Sequence, residues 1–147
     1  MSLRPPTDIA TYLDANSTAL TFGTNLFVGP VRAVSDGVPV QSVFILGSGA
    51  DPPDRVFGVE RELRRPVLQV SVRAATFSAG NSLARSIYGI LQSATPDGYK
   101  DLSCRQSGPV LTGYNQNTHY VFTYDWDVPY DSDGADGGML LPWQASE

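Results

Sequence analysis

Two aspartates on one predicted strand are the first residues whose types and spacing could do chemistry. Asp125 and Asp127 are two positions apart in an alternating segment, so their carboxylates would lie side by side on one face of the strand. Such a pair could bind a divalent metal ion or take part in acid/base catalysis. A solvated strand face explains the same spacing without any chemistry, and we favour that interpretation.

A second acidic cluster follows in a Gly-rich stretch. Asp131, Asp133 and Asp136 are spaced like the carboxylates of calcium-binding loops. The register is wrong for an EF-hand, since Ala135 and Pro142 stand where ligands are needed. We therefore expect no metal site and no cofactor. A metal-dependent hydrolase that uses these aspartates together with the strand pair is kept as an alternative hypothesis.

Other catalytic motifs are incomplete. The single histidine, His119, is not accompanied by a nucleophile elbow around any serine. Cys104 is the only cysteine, so neither an internal disulfide nor a zinc cluster is expected. The segment 47–49 begins like a dinucleotide-binding fingerprint but continues into Asp51-Pro52-Pro53, where that motif requires a helix start. The sequence thus predicts a protein that is not an enzyme.

The size and charge of the chain favour one folded domain. With 147 residues, 41% of them hydrophobic, the chain can fill a single core. Its formal net charge of -5 argues against wrapping nucleic acid on an outer surface, but it suits a channel through which DNA slides without binding. Since neither a signal peptide nor an apolar run of membrane-spanning length is present, we expect no membrane partner.

The sequence predicts two helices, which must help to position the candidate residues named above. The first is expected to begin at Thr7 and Asp8, with the Thr7 hydroxyl as its cap, and to end near Asn16. The second and longer helix is expected to be capped by Ser78 or Asn81, and its apolar residues recur at the three- and four-residue spacing of one face. These apolar residues are Leu83, Ala84, Ile87, Tyr88, Ile90 and Leu91.

The other segments predict strands. Residues 26–34 and 40–46 are predicted to form a hairpin around a turn at 35–37, with the second strand buried on both faces. The segment 47–55 is so rich in Gly, Pro and Asp that a prominent loop is expected. Residues 67–73 alternate, which predicts a half-buried strand. Further strands are expected at 101–106, 109–114 and 118–128, the last with an aromatic stripe of Tyr120, Phe122, Tyr124 and Trp126 in the core.

These elements predict an α+β fold with a mainly antiparallel sheet, a long helix packed on one face and a short N-terminal helix. We expect one domain over residues 1–130 and an acidic flexible arm over residues 131–147. The arm carries a short apolar segment that could dock elsewhere, although an inconsequential tail is an equally good interpretation. Its large apolar residues are Met139, Leu140, Leu141 and Trp143.

Basic residues are concentrated in one part of this acidic chain. Five of the ten lie within nineteen positions: Arg55, Arg61, Arg64, Arg65 and Arg73. Such segregation favours contacts with an acidic surface of a partner or of another copy. Ordinary solvated charge, paired locally with Glu60 and Glu62, explains the pattern equally well.

The order of these features resembles that of tail terminators of long-tailed bacteriophages, a family also described as tail-completion or minor capsid proteins. In that order, a helix precedes a β hairpin and a Gly-rich loop follows Phe44-Ile45-Leu46. Glu60-Arg61 then leads into the strand 67–73, and a helix begins a few residues later. The resemblance covers residues 7–130, and the strand ending in Val-Arg is its most specific part.

The resemblance implies a structural virion protein rather than an enzyme. Such a protein forms a homo-hexameric ring that caps the tail tube protein, stops tube polymerisation and joins the tail to the head connector, with DNA passing through the lumen. It would be assembled in the host cytoplasm and found at the head–tail junction of the virion. Expected partner-binding residues are Arg55, Arg61, Arg64, Arg65, Met139, Leu140, Leu141 and Trp143.

Two further alternatives remain open at this point. A head-completion or neck protein is also a ring without chemistry, and the sequence separates it poorly from a terminator. A monomeric binding module would differ from both because it would not self-associate.

Overall fold

The structure is a computed structural model that describes residues 4–35, 37–55, 62–114 and 119–132, with the backbone alone described at 48–55, 62–63, 112–114 and 131–132. Its helices are α1 (Pro5–Asn16) and α2 (Phe77–Leu91). Its strands are β1 (Leu26–Val28), β2 (Ser42–Arg55), β3 (Glu62–Ala74), β4 (Ser103–Cys104), β5 (Val110–Tyr114), β6 (Tyr120–Asp127) and β7 (Tyr130–Ser132). Neither helix of this part is long and apolar enough to cross a membrane.

All the described strands belong to one sheet, ordered β1-β2-β3-β6-β4. β6 and β7 pair with successive parts of β3, over its residues 67–74 and 62–64. β4 and β5 pair with opposite ends of β6. The pairing of β1 with β2 is parallel, and the other strand pairs are antiparallel. The predicted α+β class with a mainly antiparallel sheet is therefore confirmed.

Both helices pack on the same face of the sheet and share one core. Ile9 and Leu13 of α1 and Ile87 of α2 are buried in a single apolar cluster. The aromatic stripe of β6 faces this cluster as predicted, since Phe122, Tyr124 and Trp126 are buried there with Tyr120 half-buried at the end. The Tyr124 hydroxyl donates a 2.6 Å hydrogen bond to the carbonyl of Ala84 in α2. The stripe therefore holds the long helix on the sheet.

α1 begins earlier than predicted and without the predicted cap. Pro5 and Pro6 occupy its first positions, and no side chain caps the helix. Proline suits the first turn because it has no N–H to leave unsatisfied there. Thr7 therefore lies inside the helix, where its carbonyl accepts a 2.9 Å hydrogen bond from the Thr11 hydroxyl. The Asp8 carboxylate accepts from the amide of Arg4 at 3.0 Å.

α2 is capped by Thr76, which corrects the prediction of Ser78 or Asn81. Thr76 has extended backbone angles, and its hydroxyl oxygen accepts from the amide of Ala79 at 3.1 Å. Phe77 is already helical, so Ser78 and Asn81 lie inside the helix and cannot cap it. The predicted apolar face is correct, because Leu83, Ala84, Ile87 and Leu91 are buried.

β1 and β2 do not form the predicted hairpin. Residues 26–28 run parallel to residues 43–45. Gly29, with a φ of 126°, ends β1, and Pro30 cannot donate to a continuing ladder. The following residues 29–41, here called the crossover segment, return the chain to the other end of β1. Its 13 residues match the dozen or more that a parallel connection requires.

The segment 47–55 is not a loop. β2 and β3 stay paired as far as Arg55 and Glu62, and register shifts occur between Gly47 and Gly49 and within 51–54. Two prolines fall in the second shift, and bulges are where a strand tolerates residues that lack an N–H donor. Gly and Pro therefore bend the strand without ending it. We call this paired extension, residues 47–55 with 62–68, the ribbon.

The second face of the central strands is also covered, which was not predicted for β3. Phe44 packs with Phe27 and Val38 in a small cluster separate from the main core. On β3, Ser71 and Arg73 are only 6% and 3% exposed. The strand 67–73 is therefore buried on both faces in its second half, because the crossover segment lies over its polar side.

Candidate interaction surfaces

Of the five clustered basic residues, Arg73 is buried beneath the crossover segment, and the others that the structure describes lie on the ribbon. Arg55 in β2 lies opposite Glu62, and Arg65 in β3 lies opposite Asp51. Arg64 lies next to Arg65, and both side chains are half-buried. The topology thus brings Arg55, Arg64 and Arg65 onto the ribbon. Arg61 and the apolar residues Met139, Leu140, Leu141 and Trp143 lie outside the described residues.

The aspartate pair of β6 is held by neighbouring side chains. Asp127 accepts from Nε and Nη2 of Arg105, each at 3.0 Å. Asp125 receives a 3.3 Å hydrogen bond from the Gln106 amide and donates through its backbone N–H to the Gln106 side-chain oxygen at 2.8 Å. Each carboxylate therefore already has a partner from the chain around β4. Within the described ranges, no group of three or more His, Cys, Asp or Glu could hold a metal ion.

The remaining candidate catalytic groups are not arranged for nucleophilic catalysis. Cys104 is half-buried in β4, where burial raises the pKa of its thiol and Asp125 and Asp127 raise it further. A cysteine is activated by the opposite change, a lowered pKa. His119 lies immediately before β6 and is half-buried. Asp131 is part of β7, whereas Asp133 and Asp136 lie outside the described residues.

Exposed large apolar residues form a first group at the β5 side of the sheet. Phe77 is 50% exposed, Val110 48% and Leu111 42%. The Phe77 ring contacts Tyr120 and Phe122 edge-on, with centroids 6.2 and 5.3 Å apart. Leu111 pairs with Phe122, so both side chains lie on the same face. Val110 pairs with Thr123 and therefore lies on the other face, so we call Phe77 and Leu111 the edge patch.

A second group lies on the opposite face, over β1, β2 and β3. Val31 and Val34 of the crossover segment are 45% and 43% exposed, and Leu46 of β2 is 37% exposed. We call these three residues the crossover patch. Isolated exposed apolar residues are normal on a protein surface, but clustered ones indicate contacts with other molecules. Neither patch is predictable from the sequence, because each depends on which side of a segment the rest of the fold covers.

Arg73 positions the crossover patch. Its side chain donates to the carbonyls of Val40 at 2.9 Å and Pro39 at 3.0 Å, and a third bond goes to the carbonyl of Arg32. The Ser42 hydroxyl donates to Pro39 at 2.6 Å. The sequence signal for this contact was Arg73 itself, an arginine on the polar side of the strand 67–73, whose other side is apolar.

The crossover segment also contains the place where a turn was predicted, at 35–37. Ser35 and Val38 exchange backbone hydrogen bonds of 2.9 and 3.0 Å, which confirms a tight turn at that place. Val38 is buried against Phe27 and Phe44, whereas Val34 points out. The segment therefore has an inner side and an exposed side although it contains no helix.

A groove of about 370 Å³ runs between α1 and the chain after α2. Its lining is Asp8, Thr11, Tyr12, Ala15, Pro96, Asp97 and Tyr99. The Tyr99 hydroxyl donates to the Asp8 carboxylate at 2.6 Å. Burial and this neighbouring carboxylate raise the pKa of Tyr99, so the phenol stays protonated and bonded at neutral pH. We call this feature the α1 groove.

Among known proteins, similarity to this chain is found in solved structures. No protein-family model matches the sequence, and no curated protein matches it. Among solved structures, 19 chains match. One belongs to a structure described as "Virion of native gene transfer agent (GTA) particle"; it is 13% identical, the match covers 84% of each chain, and the TM-score is 0.46. A similarity of this size assigns no role to any residue.

Proposed function

We propose that this chain is a structural subunit of a phage-like virion, a tail terminator that forms a ring at the end of the tail tube. The observation that carries the proposal is the placement of the two apolar patches. The crossover patch lies over β1–β3, and the edge patch lies at β5 on the far side of the sheet. A closed ring with head-to-tail contacts needs two different surfaces on each subunit, placed so that one meets the other.

Part of the element order that carried the resemblance supports the same proposal. A helix precedes β1 and β2, and α2 begins soon after β3 ends at Ala74. The expected hairpin and Gly-rich loop are replaced by a parallel strand pair and by the ribbon. The ribbon extends the sheet at one end and carries Arg55, Arg64 and Arg65. In a ring, we propose that these arginines contact the acidic surface of a tube or connector subunit, together with Arg61 and the segment 139–143.

The proposal is tested by breaking one patch at a time. Val34→Glu places a charge in the crossover patch, and Leu111→Glu places one in the edge patch. Since burial of one such side chain contributes roughly 1.5–3 kcal/mol, each variant should lose self-association. Ser86→Glu, at an exposed position of α2 outside both patches, is the matched control. Light scattering across a range of concentrations measures the mass of each protein.

Mixing the two variants distinguishes a head-to-tail ring from other assemblies. Val34→Glu keeps an intact edge patch and Leu111→Glu keeps an intact crossover patch, so an equimolar mixture should form heterodimers and nothing larger. Wild type and Ser86→Glu should form rings visible by electron microscopy. If a patch instead bound its own copy, the variant that keeps that patch intact would still form homodimers by itself, and that result would contradict the proposal.

Binding to phage components tests the position of the ring. Purified tail tubes should be capped at one end by wild type even where the free protein is monomeric, and the capped tubes should stop growing. Binding to isolated head connectors but not to tubes would favour a neck protein instead. Failure to bind either component, by a protein that is monomeric at every concentration, would contradict both roles.

A further inference from the structure

We propose that the apolar segment Met139–Trp143 binds in the α1 groove of its own chain. This inference concerns a single molecule and goes beyond the proposed ring. It describes the free subunit, before the segment contacts a tube or connector. It joins an open groove beside α1, which the proposed function leaves unexplained, to a short apolar sequence after an acidic, Gly-rich spacer.

The groove has walls that suit a few apolar side chains. Tyr12, Ala15 and Pro96 contribute to its lining, and Tyr99 is buried at 8% exposure. Its volume of about 370 Å³ lies at the low end of the range of about 300–1,000 Å³ that is typical of ligand sites. That size favours a short peptide segment over a folded partner. The segment 139–143 supplies Met, two Leu and Trp in five residues.

The polar group inside the groove does not need a polar ligand. The Asp8 carboxylate accepts from the Tyr99 hydroxyl at 2.6 Å and from the Arg4 amide at 3.0 Å. Because these bonds are made within the protein, an apolar occupant leaves neither group without a partner. Asp97 is exposed at the rim, where water can solvate it.

The end of the sheet delivers the chain close to this groove. The Tyr99 ring contacts the Tyr130 ring of β7 edge-on, with centroids 5.7 Å apart. The amide of Lys100 donates to the carbonyl of Pro129 at 2.8 Å. The loop that lines the groove is thus bonded to the strand from which the acidic segment continues.

The spacer is long enough to lead back to Tyr130, whose ring contacts the groove residue Tyr99. From Tyr130 to Ser132 the strand advances about 7 Å at the usual rise per residue. The six residues 133–138 span about 13 Å as a flexible Gly-rich chain and about 20 Å when extended. A ligand on such a short linker has an effective concentration in the millimolar range. Weak apolar contacts are therefore sufficient for docking within the chain.

Tryptophan fluorescence of the full chain provides the test. The chain has two tryptophans, and Trp126 is buried at 1% exposure, so the spectrum of wild type minus that of Trp143→Phe reports Trp143. Docking should shift this difference spectrum to the blue and protect it from acrylamide quenching. Ala15→Arg fills the groove with a charge and should raise the quenching constant of Trp143 several-fold. Thr11→Arg, one turn earlier in α1, should do the same.

Matched controls separate docking from a general loss of structure. Ser86→Arg introduces the same charge at an exposed position of α2 and should leave the Trp143 spectrum unchanged. Far-UV circular dichroism should be the same for all variants. The measurements are made at concentrations where light scattering gives the mass of a monomer, so ring formation does not affect them.

Two results would overturn the inference. In the first, Trp143 of wild type is quenched as strongly as that of Ala15→Arg, which means that the groove does not hold the segment. In the second, the protection of Trp143 disappears on dilution, which means that the segment binds to another copy. Protection that is independent of concentration and lost in both groove variants supports the inference.

Discussion

The guanidinium of Arg73 lies over the ring of Phe44, with its central carbon 5.2 Å from the ring centroid. Both groups are buried between the sheet and the crossover segment. Burial lowers the pKa of Arg73, but an arginine keeps its charge in proteins. A buried cation therefore ties the crossover segment to the sheet through backbone carbonyls and an aromatic face.

Arg73→Met should release the crossover segment while leaving the helical face intact. Three carbonyls lose a charged donor. Each hydrogen bond to a charged group contributes about 1.5–3 kcal/mol to the free energy of unfolding. Packing of the methionine side chain offsets part of this loss. We expect the free energy of unfolding to fall by roughly 3 kcal/mol. Amide exchange should accelerate first in the crossover segment. Arg32→Met, at an exposed arginine whose guanidinium carbon lies 5.0 Å from the Phe27 ring centroid, should cost less than about 1 kcal/mol.

Two glycines of α2 should respond oppositely to alanine. A Cβ at Gly80 would lie 2.6 Å from the Phe122 ring, which is buried and cannot move freely, whereas a Cβ at Gly89 would meet nothing within 4 Å. Gly80→Ala should destabilise the protein, since overpacking costs about 1–3 kcal/mol and exceeds the gain in helix propensity. Gly89→Ala should stabilise it by about 0.5–1 kcal/mol. Urea unfolding measures both, and a stabilised Gly80→Ala would show that the sheet and α2 are not in close contact.

Tyr124→Phe should lower stability at neutral pH and reduce its loss at high pH. The variant removes the buried hydroxyl, so the carbonyl of Ala84 loses the hydrogen bond that Tyr124 donates. Loss of this bond costs about 1 kcal/mol. Burial raises the pKa of Tyr124, with a smaller contribution from Cys104. Above the usual tyrosine pKa of about 10, the unfolded chain loses this proton and the folded chain keeps it, so stability falls by about 1.4 kcal/mol per pH unit.

Urea unfolding between pH 8 and pH 11 should therefore show a shallower decline for Tyr124→Phe than for wild type. Tyr12→Phe is a control at a half-buried tyrosine outside the aromatic stripe. Equal slopes in wild type and Tyr124→Phe would mean that the Tyr124 phenol ionises as easily in the folded protein as in the unfolded chain.

Divalent metal ions should leave the melting temperature unchanged. Asp127 is paired with Arg105, and Asp125 is bonded to Gln106, so neither carboxylate is free to bind a cation without breaking a contact. Thermal melts with millimolar calcium, magnesium or manganese, and with a chelator, measure this directly. A ligand that binds only the folded state raises the melting temperature, so a clear rise would revive the metal-dependent hydrolase.

Charge reversal at Arg61, Arg64 and Arg65 should block joining without preventing folding. In the full chain, replacing Arg61, Arg64 and Arg65 by Glu should leave the circular dichroism spectrum unchanged but abolish binding to tail tubes. Replacing them by Lys keeps the charge and should restore most of the binding, because steering by an acidic partner depends on sign. Infectious particles assembled normally with the Glu variant would remove these arginines from the interface.

Patterns of apolar residues made the helices and most strands predictable. The spacing of Leu83, Ile87 and Leu91 predicted the buried face of α2, and the alternation of Phe122, Tyr124 and Trp126 predicted the core face of β6. Both patterns depend on the regular direction of side chains within one element. The short β7 was not predicted, because three residues are too few to show a period.

The candidate surfaces were less predictable than the core. Arg55, Arg64 and Arg65 were chosen from charge alone, and the structure places them together on the ribbon. Their role in binding a partner remains a proposal. The edge patch was not predicted, because Phe77 and Leu111 are far apart in sequence and meet only around Phe122.

What the sequence by itself determined is most of the elements and, for α2 and β6, the side that avoids water. Only the tertiary structure decided how these elements pair. Residues 26–28 and 43–45 could have formed a hairpin, but a φ of 126° at Gly29 ends β1 and Arg73 holds the returning chain, which makes them parallel. The physical reason is that hydrophobic periodicity reports local burial, whereas strand direction depends on contacts between residues distant in sequence.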